Sequence, residues 1–170
     1  MQKAGAYVAL ILNEIAKAIE PGIATKDLDF LAEKRAKGFG VIPAFKGYQG
    51  FPAALCVSIN EEVVHGIPSS RRLKEGDIVG LDFGVVYEGY YGDAAVTVAA
   101  GPILPEHEKL LRVARESLWK GIEQARAGNH LSKVSAAIQK HVEGAGFSVV
   151  REFVGHGIGQ SMHEEPQIPN

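Results

Sequence analysis

The run GDIVGLDFGVVYEGYYGDAAVTVAA, from Gly76 to Ala100, constrains the fold more than any other stretch. It holds two strand-like segments, DIVGLDFGVVY and YYGDAAVTVAA, rich in β-branched and aromatic residues. Glu88-Gly89 separates them, a pair suited to a two-residue hairpin turn. With that turn, Tyr87 faces Tyr90, and counting outward puts position 84 opposite position 93. Side chains alternate between the two faces of a pleated ladder. Asp82 and Asp93 therefore share a face, one diagonal step apart on neighbouring strands, unless a bulge intervenes.

Apolar spacing organises the remainder. Tyr7, Val8, Ile11, Ile15 and Ile19 recur at three and four residues, which predicts an amphipathic helix from about Ala4 to Ile19, stopped by Pro21-Gly22. Asn13 and Glu14 interrupt the apolar run, so it reads as this helix and not as a signal peptide. A second helix is expected from an N-cap at Thr25, with Asp27 and Asp29 in its first turn, to about Lys37, ending at Gly38. FKGYQGFP is turn-rich and LCVSI, residues 55–59, reads as a strand. Pro105 opens a third helix reaching about Ala127, and a fourth covers Leu131–Glu143 before Gly144. SVVREFV reads as a further strand.

A glycine break, a helix and a Gly-Phe pair occur in both PGIATKDLDFLAEKRAKGFG and AGNHLSKVSAAIQKHVEGAGF. This echo predicts two copies of one unit, the first over about 1–100 and the second over about 101–170. The second lacks a counterpart of the hairpin.

Composition excludes several classes. The chain has 170 residues, 46% hydrophobic and 22% charged, which fits one globular domain with a core. Net charge is −2 with no Lys/Arg run, so no nucleic-acid or membrane surface is indicated. No apolar run spans a bilayer. Cys56 is the single cysteine, which rules out an internal disulfide and agrees with a reducing cytoplasm.

Two carboxylates on an apolar-flanked face repel each other unless a proton or cation lies between them, and a divalent metal is one solution. The hairpin by itself leaves open a second reading, in which both face solvent. His156, in GHGIG, is flanked by glycines that let the backbone approach closely. It reads as a metal ligand or as a turn residue. His65 in VVHGIP and His163 before Glu164-Glu165-Pro166 have similar settings. His107, His130 and His141 lie at helical positions and are expected in solvent. Glu164 and Glu165 sit in a loop-like segment and are assigned a supporting role.

Together, GYQGFPAALCVSINEEVVHGIP, LDFGVVYEGYYGDAA, VGHGIG and MHEEP resemble the type I methionine aminopeptidases, in order through almost the whole chain. The resemblance implies an α+β pita-bread fold of the creatinase/aminopeptidase kind, a single domain over residues 1–170 with its second pseudo-symmetric half incomplete. It implies two divalent ions (Mn, Fe, Co or Zn) held by Asp82, Asp93 and His156. His65 then contacts substrate near the scissile bond, and His163 holds the carbonyl oxygen as it becomes an oxyanion. Phe45, Tyr48, Phe51, Cys56 and Met162 line the pocket for the methionine side chain. The implied activity is removal of the N-terminal methionine from nascent peptides in the cytoplasm, with the ribosome as an expected partner. The rivals are a non-catalytic pita-bread binding module and an X-Pro metallopeptidase. The resemblance also implies two glutamate ligands beyond the HEEP motif, one of them the general base, and neither has a position before Asn170. The chain is therefore expected to be a fragment, a poor enzyme, and prone to associate through an open sheet edge.

Overall fold

The structure, a computed structural model, describes residues 1–170. Helix α1 spans Gln2–Lys17 and α2 spans Thr25–Phe39. The strands β1 (Ile42–Pro43), β2 (Leu55–Ile59), β3 (Ile78–Tyr87) and β4 (Tyr90–Ala99) follow. Helices α3 (Pro105–Gln124) and α4 (Ser132–Gly144) precede two short strands, β5 (Gly155–Gly157) and β6 (Glu164–Ile168). The chain divides into two compact units, Met1–Ile103 with Ile158–Met162, and Leu104–Gly157 with His163–Asn170.

In the first unit β3 is the spine of an all-antiparallel sheet. β4 pairs along one edge of β3, while β2 and β1 share the other. The hairpin register is unbroken from Tyr87↔Tyr90 to Ile78↔Ala99, so no bulge reverses the expected parity. Glu88 and Gly89 both take positive φ, 51° and 80°, as the twist-matched two-residue turn demands.

The two faces of β3 have different neighbours. Val79, Leu81, Phe83 and Val85 are fully buried with Val8, Ile11, Ile15, Leu28 and Ala32 of the helices, forming the main core. α1 lies on β3 and β4, and α2 on β2 and β1. Gly92 permits the close approach of α1, since a Cβ there would lie 2.8 Å from the Ala4 carbonyl carbon and from Gly5 N. The opposite face of β3, carrying Asp82 and Gly84, turns away from that core.

The termini of α2 differ from expectation. Its N-cap is Ala24, and the Thr25 hydroxyl instead donates to Ser69 O at 3.1 Å and accepts from Ser69 N at 2.8 Å, tying down a distant loop. Asp29 does not serve the helix terminus. Its Oδ1 accepts the amides of Ala54 at 2.8 Å and Leu55 at 2.9 Å, fastening β2 to the helix. The helix ends at Gly40 in the left-handed region (φ 68°), two residues beyond Gly38.

In the second unit α3 crosses α4 at Gly121, where a Cβ would meet Ile138 Cδ1 at 2.8 Å. Residues 148–154 form no strand: no ladder partner lies beside them, and an isolated apolar run cannot satisfy its backbone. The carbonyls of Val150 and Phe153 accept the Asn170 side-chain amide instead. The HEEP segment is not a loop. It begins β6, which pairs antiparallel with β5 across a register shift at His156/Gly157. No helix is long and apolar enough to cross a membrane.

Candidate active site

The unbroken register places Asp82 opposite Ala95 and Asp93 opposite Gly84, so the two carboxylates sit diagonally on one face. Both are half-buried, and their side chains hydrogen-bond to each other. Burial, then the charge of Asp93, then that hydrogen bond push the Asp82 carboxyl up to about 7. One proton thus bridges a pair of acids that cannot both ionise cheaply. A divalent cation neutralises such a pair as a proton does, and carboxylate oxygens are its preferred donors, so the pair fits a metal. No group of three or more His, Cys, Asp or Glu side chains converges to hold a metal ion. The geometry therefore represents the expected ligand set by this carboxylate pair.

On the same sheet face lies a second, smaller apolar cluster. Cys56 is the ladder partner of Asp82 and so stands beside the carboxylates. Phe45, Ala44 and Met162 are buried with it, and Tyr48, Phe51, Val86 and Tyr91 pack against them. All five expected pocket residues are in this cluster. Ala44, Val86 and Tyr91 were not anticipated. Val86 and Tyr91 were readable in principle, since the hairpin register puts Val86 opposite Tyr91 on the face of Asp82 and Asp93. Ala44 carried no signal of its own.

Met162 reaches the cluster because residues 158–162 return to the first unit. Tyr91 N–H donates to Gly159 O at 2.8 Å, and Gly159 N–H donates to Ser161 O at 3.1 Å, which holds the segment in a tight turn on the edge of β4. The Cys56 thiol is pushed up to about 12 by burial first, then by the nearby Asp82, Asp93 and Asp29 carboxylates. A buried thiol raised this far is held in its protonated form within the apolar cluster.

His65 lies in an exposed loop beyond β2, at φ 61°. Its neighbour Gly66 presses against β2: Gly66 O accepts Val57 N–H at 2.9 Å, and a Cβ at Gly66 would fall 2.1 Å from Val57 O. Only glycine allows the loop to run there, and the contact fixes where His65 begins. In the second unit, the rings of His156 and His163 lie 4.2 Å apart between centroids, tilted by 43°. His156 Nδ1 lies 2.9 Å from Gly157 O. A carbonyl only accepts, so Nδ1 is the donor in this contact. Gly157 is obligatory, because a Cβ would lie 2.4 Å from Glu165 O.

The other histidines differ in setting. His130 is exposed, and His141 pairs with Glu116 at 3.0 Å. His107 departs from expectation: its Nδ1 is buried with no hydrogen-bond partner.

Comparison with known proteins places this arrangement. The family model of metallopeptidase family M24 matches residues 1–170. Methionine aminopeptidase 1 of Bacillus subtilis is 55% identical over 170 residues, covering the whole of this chain and 68% of that relative. The chain belongs to the methionine aminopeptidases of metallopeptidase family M24. The crystal structure of methionine aminopeptidase from Thermotoga maritima superposes with a TM-score of 0.98 at 50% identity, over 100% of this chain and 69% of the other. Prolidase from Pyrococcus furiosus shares the fold alone, with a TM-score of 0.85 at 21% identity, over 98% of this chain and 48% of that one. The fold of this M24 chain is thus the α+β pita-bread fold, and M24 methionine aminopeptidases depend on divalent metal.

Proposed function

We propose that the chain supplies the substrate pocket and three of the metal-ligand side chains for removal of the N-terminal methionine from peptides by metal-assisted hydrolysis, with weak turnover of its own. One observation carries this reading: the apolar cluster and the carboxylate pair share one face of the β2–β3–β4 ladder. An aminopeptidase must seat the first side chain beside the bond it cuts, and a soft, sulfur-containing pocket suits a thioether.

In this reading Phe45, Tyr48, Phe51, Cys56 and Met162 bind the methionine side chain, exclude water from it and fix the depth of entry. Asp82, Asp93 and His156 would hold two divalent ions, with Mn, Fe, Co and Zn all compatible with oxygen and imidazole donors. Bound cations supply Lewis acidity at the scissile carbonyl and lower the pKa of water. Asp82 and Asp93 would hold that charge in place of the proton they share. His163 donates a hydrogen bond to the carbonyl oxygen as charge develops there, and His65 positions the substrate near its amine. The substrates are nascent peptides in the cytoplasm, met near the ribosome. Self-association through the outer edge of β4, where Ala94, Ala95 and Thr97 are exposed, is part of the same reading. Sedimentation of a monomer at all concentrations rejects it.

The test is methionine release from Met-Ala-Ser with Mn²⁺ or Co²⁺, with EDTA and Asp93→Ala as controls and an X-Pro dipeptide in parallel. Metal-dependent release of methionine, lost in Asp93→Ala, supports the assignment. Cleavage of the X-Pro substrate alone redirects it to the prolidase branch of the fold.

A further inference from the structure

We infer that Gly84 is a specificity-determining position, acting through Phe45. Gly84 lies on β3 directly opposite Asp93 and two residues from Asp82, on the face that bears the apolar cluster. A Cβ at this position would lie 2.8 Å from Phe45 Cε1, 3.2 Å from Ala44 Cβ and 3.2 Å from Gly92 O. The Phe45 ring thus occupies the volume that any other residue at 84 would fill. Neighbouring backbone cannot relieve the conflict by drawing apart. Ala44 N–H donates to Gly84 O at 2.8 Å, which pins the segment carrying Phe45 to β3, and Gly92 is held in the β4 ladder opposite Val85. What can move is the ring. It is 8% exposed and packed with Cys56 and Met162, so its displacement goes into the cluster.

Backbone strain is not the reason for this glycine, because Gly84 has ordinary strand φ and the demand is purely one of space. The missing side chain lets an aromatic ring lie on the strand beside the carboxylate pair. That sets the depth and width of the cluster next to the acids. Gly84 is therefore a positioning residue whose effect is read at Phe45. The inference rests on the reading of the cluster as the methionine pocket, and its test separates the two.

The chain contains two methionines, Met1, which is 53% exposed, and Met162, which is 4% exposed. ¹³C-methyl methionine labelling therefore gives two signals, one of them inside the cluster. The experiment follows the Met162 methyl shift and titrates L-methionine amide, with Zn²⁺ in every arm, in the unsubstituted chain, Gly84→Ala, Phe45→Leu, and Gly84→Ala with Phe45→Leu. Thermal melting of each variant checks folding. In Gly84→Ala the Met162 signal shifts as the ring moves, and affinity falls roughly 10- to 100-fold, the usual effect of one methyl group forced into a packed site. In the Phe45→Leu background the same Gly84→Ala change costs only a few fold relative to Phe45→Leu alone, because the shorter side chain vacates the contested volume. Unchanged affinity and Met162 shift in a folded Gly84→Ala overturn the inference. So does a Gly84→Ala loss that is as large in the Phe45→Leu background as without it. Failure of the unsubstituted chain to bind L-methionine amide overturns the pocket reading itself, and the specificity role with it.

Discussion

Asp82 keeps its proton to about pH 7 because burial and the neighbouring Asp93 both penalise its charge. In the unfolded chain the same carboxyl ionises near its ordinary value of 3.8. Below both values the two states hold the proton equally. As pH rises from about 4 to about 7, the unfolded state loses the proton and the folded state retains it, so folding stability falls across that window and levels off above it. Denaturant midpoints of the EDTA-treated protein against pH check this, and Asp82→Asn should lose this part of the slope. Added Mn²⁺ should restore stability most strongly above pH 7, where the carboxyls are ionised for it. Cys56 gives a second expectation at this scale. A thiol raised to about 12 is almost wholly protonated at pH 8, so Ellman's reagent should react with the native chain far more slowly than with the unfolded one. Rapid labelling of the native chain at pH 8 contradicts the burial of this residue.

Among the elements, α2 and β2 are joined by one carboxylate as well as by hydrophobic contacts. Asp29 accepts the amides of Ala54 and Leu55, both fully buried. Asp29→Ala leaves two buried donors unmet and should cost about 2–4 kcal/mol, whereas Asp27→Ala at the solvated first turn should cost under about 1 kcal/mol. Urea melts of the two variants distinguish these outcomes. The same residue marks a limit of sequence reading. An aspartate four positions past a helix start looks like a partner for the helix dipole, and nothing local reveals that its oxygen reaches a strand 26 residues away. Thr25 is similar, since its hydroxyl serves Ser69 and not its own helix. SVVREFV has strand composition but no ladder, because β structure needs a partner that composition does not supply. EEPQI, with weak strand composition, becomes a strand because Gly155–Gly157 offers it a ladder.

At the scale of the whole molecule, burial is unevenly divided. The first unit holds both hydrophobic clusters, whereas among the core hydrophobics Val113 alone belongs to the second. Stability follows buried apolar area, so the units should open at different free energies. Native-state hydrogen exchange should show slow amides in β2 and β3 and earlier exchange in α3 and α4. Equal protection of the two sets would contradict the uneven core. Helices α1 to α4, β2 and the hairpin were legible in the sequence, as was the shared face of Asp82 and Asp93. Each follows from a local rule, either the 3.6-residue or two-residue period or the geometry of a two-residue turn, and such rules act on neighbours along the chain. The five residues proposed to line the pocket were singled out only through family resemblance. Phe45, Tyr48 and Phe51 by themselves look like ordinary core aromatics. Tertiary structure decided the rest: that the 158–162 segment returns to carry Met162 onto β4, that Asp29 ties a helix to a strand, and that Gly84 yields its space to Phe45. These are contacts between distant segments. They depend on which surfaces meet and how closely, and those distances exist only once the backbone has folded.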